Sequence, residues 1–381
     1  MLVDENIPAV EHYLAGRASV RRVSGRQLQR QHLEGVDALL VRSVTRVDRE
    51  LLHGSSVKFV GTATSGIDHI DQDYLGSRNI GFAYAPGSNA NSVVEYVLAA
   101  IAAVGDKLET LLAGGTVGIV GYGMIGKAVA ARLAALGIDH RVYDPWLDTQ
   151  AVSHAASLSR VLDCDVVTLH PELTHEQPWP SFHLLAAAEL ASLAPGCLLI
   201  NASRGPVIDN QALLTLLRAG GGPRVILDVW EGEPLLNHAL LERVQLGTAH
   251  IAGYSLDGKL LATRMLCDAL MTHSGQAPPL VESPAGEAEI VMVPEGLQGA
   301  ALVRYLLQAR YEISRDDAAL RDATLGRETT AAAANFDLLR KEYRVRRELL
   351  GATVRGDYQC SRDMDLVSGL GCAPSPVVPR A

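Results

Sequence analysis

The stretch Thr116–Asp144, TVGIVGYGMIGKAVAARLAALGIDHRVYD, limits what this chain can fold into more than any other. Val117, Ile119 and Val120 form a short apolar run with a β-branched bias, the pattern of a buried parallel strand. Gly121, Gly123 and Gly126 follow with G-x-G-x-x-G spacing, with Met124 and Ile125 inside it. An alanine- and leucine-rich helix comes next and closes at Gly137, and a second strand ends on Asp144. In such a unit Gly121 permits a tight turn, Gly123 lets a pyrophosphate approach the backbone, and Gly126 lets helix and strand pack closely. The helix N-terminus offers unpaired N–H groups to the phosphates. Asp144 lies eighteen residues past Gly126 and is placed to accept hydrogen bonds from a ribose. Its charge would repel a 2′-phosphate, and Pro145-Trp146 offers no adjacent arginine, so NAD is expected rather than NADP. Glycine-rich turns are common, but here strand, helix, second strand and Asp all fall at the required offsets.

The totals bound the rest. A chain of 381 residues predicts two or three domains. A formal charge of −9 argues against a nucleic-acid binder, while leaving room for a local basic pocket. The five cysteines form no C-x-x-C pair and read as buried free thiols of a reducing cytoplasm. The start MLVDENIPAV is too short and acidic for a signal peptide, and no apolar run reaches membrane-spanning length. A cytoplasmic protein is expected.

Along the chain, strands are predicted at Met1–Val3, Val36–Val41, Val57–Gly61 and Ile80–Tyr84, with polar residues gathered behind them. Ser43 and Thr64 follow two of these strands, where open parallel sheets bind ligands. Asn91–Val104 reads as an apolar helix leading into the unit that begins at Thr116. Further strands at Asp165–Leu169, Cys197–Ile200, Val225–Leu227 and Val244–Gly247 extend its sheet. A helix from Tyr254 to about Met271 returns to the first unit, and Gln276–Pro279 with Glu282–Gly296 read as linker. Helices are expected at Leu297–Ile313 and at the basic segment Asn335–Leu350, and the tail GCAPSPVVPRA reads as frayed. The expected architecture is α/β, with two Rossmann-like doubly wound parallel-sheet domains and a small C-terminal α+β domain. The boundaries fall at 1–92 with 255–275, at 93–254, and at 280–381.

Three strand ends could carry chemistry. Asn201–Asp209, NASRGPVID, holds Arg204 on a glycine-bearing turn, where its fork can grip a carboxylate. Asp228–Pro234, DVWEGEP, carries Asp228, Glu231 and Glu233, and His250 lies in TAHIAGYS past the last strand. With a nicotinamide cofactor, one His, one acid and one Arg fit hydride transfer at a hydroxy-acid carbon. The His takes the hydroxyl proton, the acid holds its tautomer and favours the imidazolium, and the Arg binds the carboxylate. A hydrolase would need G-x-S-x-G, and a zinc enzyme H-E-x-x-H or a cysteine cluster, all absent from the sequence; no metal is expected.

GYGMIG with Asp144, NASRGPVID, DVWEGEP and HIAGYS, in that order, resemble the D-2-hydroxyacid dehydrogenase family. The resemblance implies Arg204, Glu233 and His250 as catalytic residues, Asp228 facing the nicotinamide, and Gly253 lining the cofactor with Ala202 and Ser203. LVDENIP, LLVRSVT, FVGTATSGIDHID, APGSNANSVVEY and HIAGYSLDGK match one branch of it, as do SRDDAALR and FDLLRKEY. That branch implies oxidation of 4-phosphoerythronate at C2 on the route to pyridoxal 5′-phosphate. It also implies a homodimer formed through the C-terminal domain and substrate contacts at Ser43, Thr64 and Tyr254. The substrate's phosphate would meet Arg42 or Arg46, or Arg344, Arg346 and Arg347 from the third domain. Two other readings are a different phosphorylated 2-hydroxyacid dehydrogenase, such as one acting on 3-phosphoglycerate, and a non-catalytic NAD sensor. The chain departs from the family at His170-Pro171-Glu172-Leu173, where the usual order is H-x-P-L, and at Ala249, usually Pro.

Overall fold

The computed structural model describes residues 1–194, 196–286, 289–358 and 360–376. Two compact units result: Met1–Ala90 with Tyr254–Glu287, and Asn91–Gly253 with Ala288–Ala381.

In the first unit β1 (Leu2–Asp4), β2 (Arg21–Val23), β3 (Ala38–Val41), β4 (Phe59–Thr62) and β5 (Gly81–Tyr84) form one parallel sheet in the order β2-β1-β3-β4-β5. Strand β2 was not expected: it is three residues long, RRV, with both arginines exposed. It shows no apolar alternation and is recruited by pairing with β1. The helix Leu256–His273 returns to this sheet and buries Leu260, Leu266, Cys267, Leu270 and Met271 in a core shared with Val3, Leu40 and Phe59.

The second unit carries β6 (Thr116–Val120), β7 (Asp139–Tyr143), β8 (Val166–Leu169), β9 (Leu198–Asn201), β10 (Arg224–Leu227) and β11 (Leu246–Gly247). Their order is β11-β10-β9-β8-β6-β7, all parallel. Its central strands are closed to water on both faces, so they read as continuous apolar runs rather than as alternation. The order reverses between β6 and β8, which makes the carboxyl ends of those strands the switch point where such sheets bind ligands.

The residues after 288 pack on this second unit. Strands β12 (Ile290–Met292), β13 (Thr353–Gly356) and β14 (Ala373–Pro376) form a small parallel sheet. The helices are Gly299–Arg310, Ile313–Thr324, Thr329–Lys341 and Ser361–Gly369. Strand β12 therefore lies within the expected linker. Strand β14 lies within the tail expected to be frayed, whose last residues, 377–381, fall outside the described ones. Leu320 and Phe336 join the core cluster that contains Leu199, Leu227 and Trp230. Asp317 accepts the Gly247 N–H at 2.7 Å, while Arg321 donates to the Leu241 and Val244 carbonyls at 2.8 and 3.0 Å. The Asp317 contact covers the open edge of β11, which would otherwise present unpaired backbone, and Arg321 holds the turn that leads into it.

The basic segment is not one helix. It ends at Lys341, and residues 342–350 run irregularly. The N–H groups of Leu349 and Leu350 donate instead to Oε1 of Glu95, at 2.7 and 3.1 Å, and Asn91 Nδ2 donates to the same oxygen at 3.0 Å. A buried side chain on the helix Ala90–Ala102 thus competes with helical bonding in the tail. Four cysteines are buried as expected, but Cys360 is exposed.

Burial pushes the Glu95 carboxyl up to about 7, with the nearby Glu348 adding to the shift and Arg346 opposing it. The folded state thus holds this proton more tightly than the unfolded chain. The resulting stabilisation is full below about pH 4.5 and is lost as pH rises through about 7. The melting temperature measured across that window should therefore fall less steeply in Glu95→Gln than in the parent chain. Parallel curves would remove Glu95 as the cause.

Candidate active site

In the second unit the strand ends are level. Val120 pairs with Leu169, Leu169 with Asn201, Asn201 with Leu227, and Leu227 with Gly247. The residues that follow, at Gly121, His170, Ala202, Asp228 and Thr248, therefore stand abreast along one rim.

Gly121 has φ +88, and a Cβ there would lie 2.5 Å from the Pro171 nitrogen across the switch point. A Cβ on Gly126 would lie 2.0 Å from the Gly121 carbonyl oxygen, so this glycine sets the approach of helix to strand. Gly123 differs: its φ is −72, and beyond its chain neighbours a Cβ built on it meets none of the described residues within 4 Å. It opens the helix Met124–Ala135 with no side-chain cap, leaving the first N–H groups unclaimed by one. Met124 is exposed and Ile125 half-buried beside it. Asp144, past the end of β7, accepts from the Tyr122 N–H at 2.8 Å through Oδ2 and from the Trp146 N–H at 3.1 Å through Oδ1. Its carboxylate is thereby fixed beside the glycine turn. An open amide-lined approach with an anchored acid at its side fits a dinucleotide.

At the end of β9, Asn201 builds the turn. Its Oδ1 accepts from Ser203 N and Oγ at 3.1 and 2.9 Å, and its Nδ2 donates to the Arg204 carbonyl at 3.0 Å. Ala202 and Ser203 are buried, while half-buried Arg204 donates to the Ser203 carbonyl at 2.9 Å. A Cβ on Gly205 would lie 2.1 Å from the Trp230 carbonyl carbon, so the Arg204 turn presses against the DVWEGEP loop. Asn201 was not singled out in the sequence. Its place immediately before the Arg-bearing turn was the available signal.

Asp228, at the end of β10, is buried. It accepts from Thr248 Oγ1 and Ile251 N at 2.6 and 2.8 Å on one oxygen, and from Ala252 N at 2.9 Å on the other. Its own carbonyl accepts the His250 N–H at 2.7 Å. Burial pushes its carboxyl up, against the opposing influence of His250 and these hydrogen bonds. Asp228 thus shapes the loop that carries His250. His250 itself has φ 55, in the left-handed region. Its Nδ1 lies 2.5 Å from Glu233 Oε1, and the two side chains are 31% and 23% exposed. Glu233 Oε2 accepts from Trp230 N at 3.1 Å. Burial alone would raise the Glu233 carboxyl; the charge and hydrogen bond of His250 outweigh it, and the net shift is downward. An ionised Glu233 can only accept, so the shared proton belongs to Nδ1 and the Nε2 lone pair is left for chemistry.

Two histidines near this rim play other parts. Buried His170 sits 2.9 Å from Thr168 Oγ1 through Nε2, and burial pushes it down to about 3, keeping it neutral. His183 places Nε2 2.8 Å from Glu231 Oε1 and Nδ1 3.9 Å from Asp209 Oδ2. One ring bridging two carboxylates through different nitrogens ties the 183 loop to the ends of β9 and β10.

The first unit holds a second group. Val41 pairs with Thr62, so Ser43 and Thr64 follow neighbouring strand ends. Ser43 is exposed, and Thr64 Oγ1 donates to the Gly66 carbonyl at 2.7 Å and lies 2.8 Å from Thr62 Oγ1. Arg42 donates to the Tyr254 hydroxyl at 3.3 Å, and Lys259 Nζ stands 5.0 Å above that ring. Lys259 was not foreseen. Arg46 pairs with Asp48 at 3.0 Å, Arg344 with Asp316 at 3.3 Å, and Arg347 is half-buried. Arg346, expected with them as a phosphate contact, is buried.

Residues 101–252 match the model of the D-isomer specific 2-hydroxyacid dehydrogenase NAD binding domain. Residues 284–371 match a domain of unknown function, DUF3410. An erythronate-4-phosphate dehydrogenase of Stutzerimonas stutzeri is 43% identical over 97% of this chain and 98% of its own length. Its counterpart in Cronobacter sakazakii is 40% identical over 99% of each. The chain belongs to the erythronate-4-phosphate dehydrogenase family, within the D-isomer-specific 2-hydroxyacid dehydrogenases. It is an NAD-binding oxidoreductase. Solved structures show the same fold. A D-lactate dehydrogenase of Aquifex aeolicus with NAD and lactic acid gives a TM-score of 0.59 at 23% identity, covering 72% of this chain and 95% of that one. An NAD+-bound 3-phosphoglycerate dehydrogenase of Entamoeba histolytica gives 0.60 at 21%, covering 72% and 96%. Among the described residues no helix is long and apolar enough to cross a membrane.

The glycine geometry separates two kinds of substitution. Gly126→Ala should lower the melting temperature, because the clash is with backbone and overpacking costs about 1–3 kcal/mol. Gly123→Ala should leave it unchanged while raising the KM for NAD. A stable Gly126→Ala protein, or an unaltered KM in Gly123→Ala, would contradict these assignments.

Proposed function

We propose that this chain oxidises 4-phosphoerythronate at C2 to the 2-oxo acid with NAD, in pyridoxal 5′-phosphate synthesis, using His250 as the proton acceptor. The observation that carries this reading is the 2.5 Å contact between His250 Nδ1 and Glu233 Oε1, on the same rim as the Arg204 turn. Bound NAD supplies the hydride acceptor. Gly121, Gly123, Met124, Ile125, Gly126 and Gly253 line its site, with Ala202, Ser203 and Arg204 at the second turn. Asp144 takes the ribose hydroxyls, and Asp228 serves by shaping the loop around His250. Nε2 of His250 takes the C2 hydroxyl proton, and Glu233 stabilises the imidazolium that forms. Arg204 grips the substrate carboxylate and polarises the C2 oxygen. Ser43, Thr64 and Tyr254 contact the substrate, and Arg42, already set against Tyr254, meets its phosphate.

The domain boundaries follow the same proposal: a substrate-binding part at 1–92 with 255–275, an NAD-binding part at 93–254, and a C-terminal part at 280–381 that forms a homodimer. Strand β12 supports the last point, presenting Ile290 and Met292 at 53% and 56% exposure around buried Val291. Charging both positions, Ile290→Glu with Met292→Glu, should give monomers in sedimentation; an unchanged dimer would place the interface elsewhere. Four buried free thiols accord with a cytoplasmic protein.

The deciding assay is NADH formation from 4-phosphoerythronate beside 3-phosphoglycerate. Preference for the second would overturn the substrate, and turnover of neither would favour a sensor. His250→Gln should lower kcat by about 10²–10⁴ while NADH still binds. Glu233→Gln should lower kcat with the KM for NAD unchanged, since the ring loses the acceptor that holds its Nδ1 proton. An unchanged kcat would count against the pairing.

A further inference from the structure

The loop that carries His250 is held from two sides, and only one belongs to the Rossmann rim. Asp228 takes the N–H groups of Ile251 and Ala252. The Ala252 carbonyl points the other way. It accepts from Arg346 Nη2 at 2.7 Å and from Ser92 Oγ at 2.9 Å. The same Nη2 donates to the Ser92 carbonyl at 3.2 Å and to the Ser92 hydroxyl. Arg346 comes from the irregular segment that follows the helix Thr329–Lys341.

This guanidinium is an expensive way to fill space. Arg346 is 3% exposed, and its Nε and Nη1 have no hydrogen-bond partner among the described residues. Burying unsatisfied donors opposes folding, and an apolar side chain of equal length would fit with less penalty. Its plane lies over the Tyr311 ring, 4.4 Å from the centroid, and Glu95 contributes a nearby acid. What the arginine provides is a charged donor that joins Ser92 to the Ala252 carbonyl, two residues after His250. His250 needs such help: a non-glycine residue at φ 55 persists only where its surroundings fix it.

We propose that Arg346 is a positioning residue for His250, fixing the 250–253 loop through the Ala252 carbonyl so that Nδ1 stays against Glu233. The C-terminal segment thereby takes part in catalysis without touching substrate. The inference rests on His250 being the proton acceptor.

The test uses the full-length chain with Arg346→Met, Arg346→Lys and Ser92→Ala. Amide hydrogen exchange with NADH bound needs no substrate. In Arg346→Met, the Ile251 and Ala252 amides should exchange about tenfold faster, with β9 and β10 unaffected. In the oxidation assay kcat should fall by on the order of tenfold to a hundredfold, the size expected for a displaced catalytic group, with the KM for NAD unchanged. Arg346→Lys should recover part of both effects. Unchanged protection in the loop, or a lower kcat with no recovery in Arg346→Lys, would overturn the proposal. Should Arg346→Met fail to fold, Ser92→Ala decides by the same readings, since it removes the other donor to the carbonyl. Fast loop exchange in a variant whose parent oxidises no 2-hydroxy acid would leave the clamp standing and count against the catalytic reading alone.

Discussion

The buried carboxylate of Asp228 is the contact on which the rest of the site depends. A carboxylate out of water must be satisfied by donors, and here three of them come from a few consecutive residues, Thr248, Ile251 and Ala252. Satisfying that charge bends the chain after β11 into one shape, with His250 in the left-handed region between them. The hydroxyl of Thr248 lies 2.8 Å from Tyr96 Oη, and its carbonyl accepts the Trp230 indole N–H at 2.9 Å. The same loop therefore fixes Trp230, whose backbone N–H donates to Glu233. The acid and the histidine of the proposed proton-transfer pair are both placed from one buried anion. Removing it would disturb both at once, which makes their effects non-additive.

Much of this was legible in the sequence because it obeys local rules. Strand β6, the glycine turn, the helix Met124–Ala135 and the close at Gly137 are each dictated by residues within the segment itself. The strand ends were legible for a related reason: parallel strands buried on both faces are apolar throughout, so the first polar residue marks the rim. What escaped was set by distant partners. Strand β2 exists because β1 offers an edge, not because RRV favours extension. The basic segment looked helical by composition, but Glu95, more than two hundred residues earlier, captures the N–H groups of Leu349 and Leu350. Arg346 was grouped with Arg344 and Arg347 as a phosphate contact for the same reason. A charge run carries no sign of which member turns inward.

The site residues divide along the same line. Arg204, Glu233 and His250 stand in motifs whose spacing announces them. Ser92 and Lys259 stand out only by where they point, which no spacing reveals, while Asn201 was signalled only by its place before the Arg-bearing turn. Asp228 lies between the two cases. The motif marked it, but its three bonded loop donors show that it builds the site before it serves any ligand.

The C-terminal residues change meaning once their packing is known. A tail that only joined two copies of the chain would need no buried charge against the Rossmann unit. This one sends in Asp317 to cap the edge of β11, Arg321 to hold the turn before it, Leu320 and Phe336 to complete the core beneath β9 and β10, and Arg346 to reach the loop after His250. The edge strand β11 is two residues long, too short to hold its own register, and the loop carrying His250 begins where it ends. Strand β11 and the loop it feeds are thus steadied by the same C-terminal body. A Rossmann unit cut off before residue 289 would keep its glycine turn intact while losing the supports of the proposed proton-transfer pair.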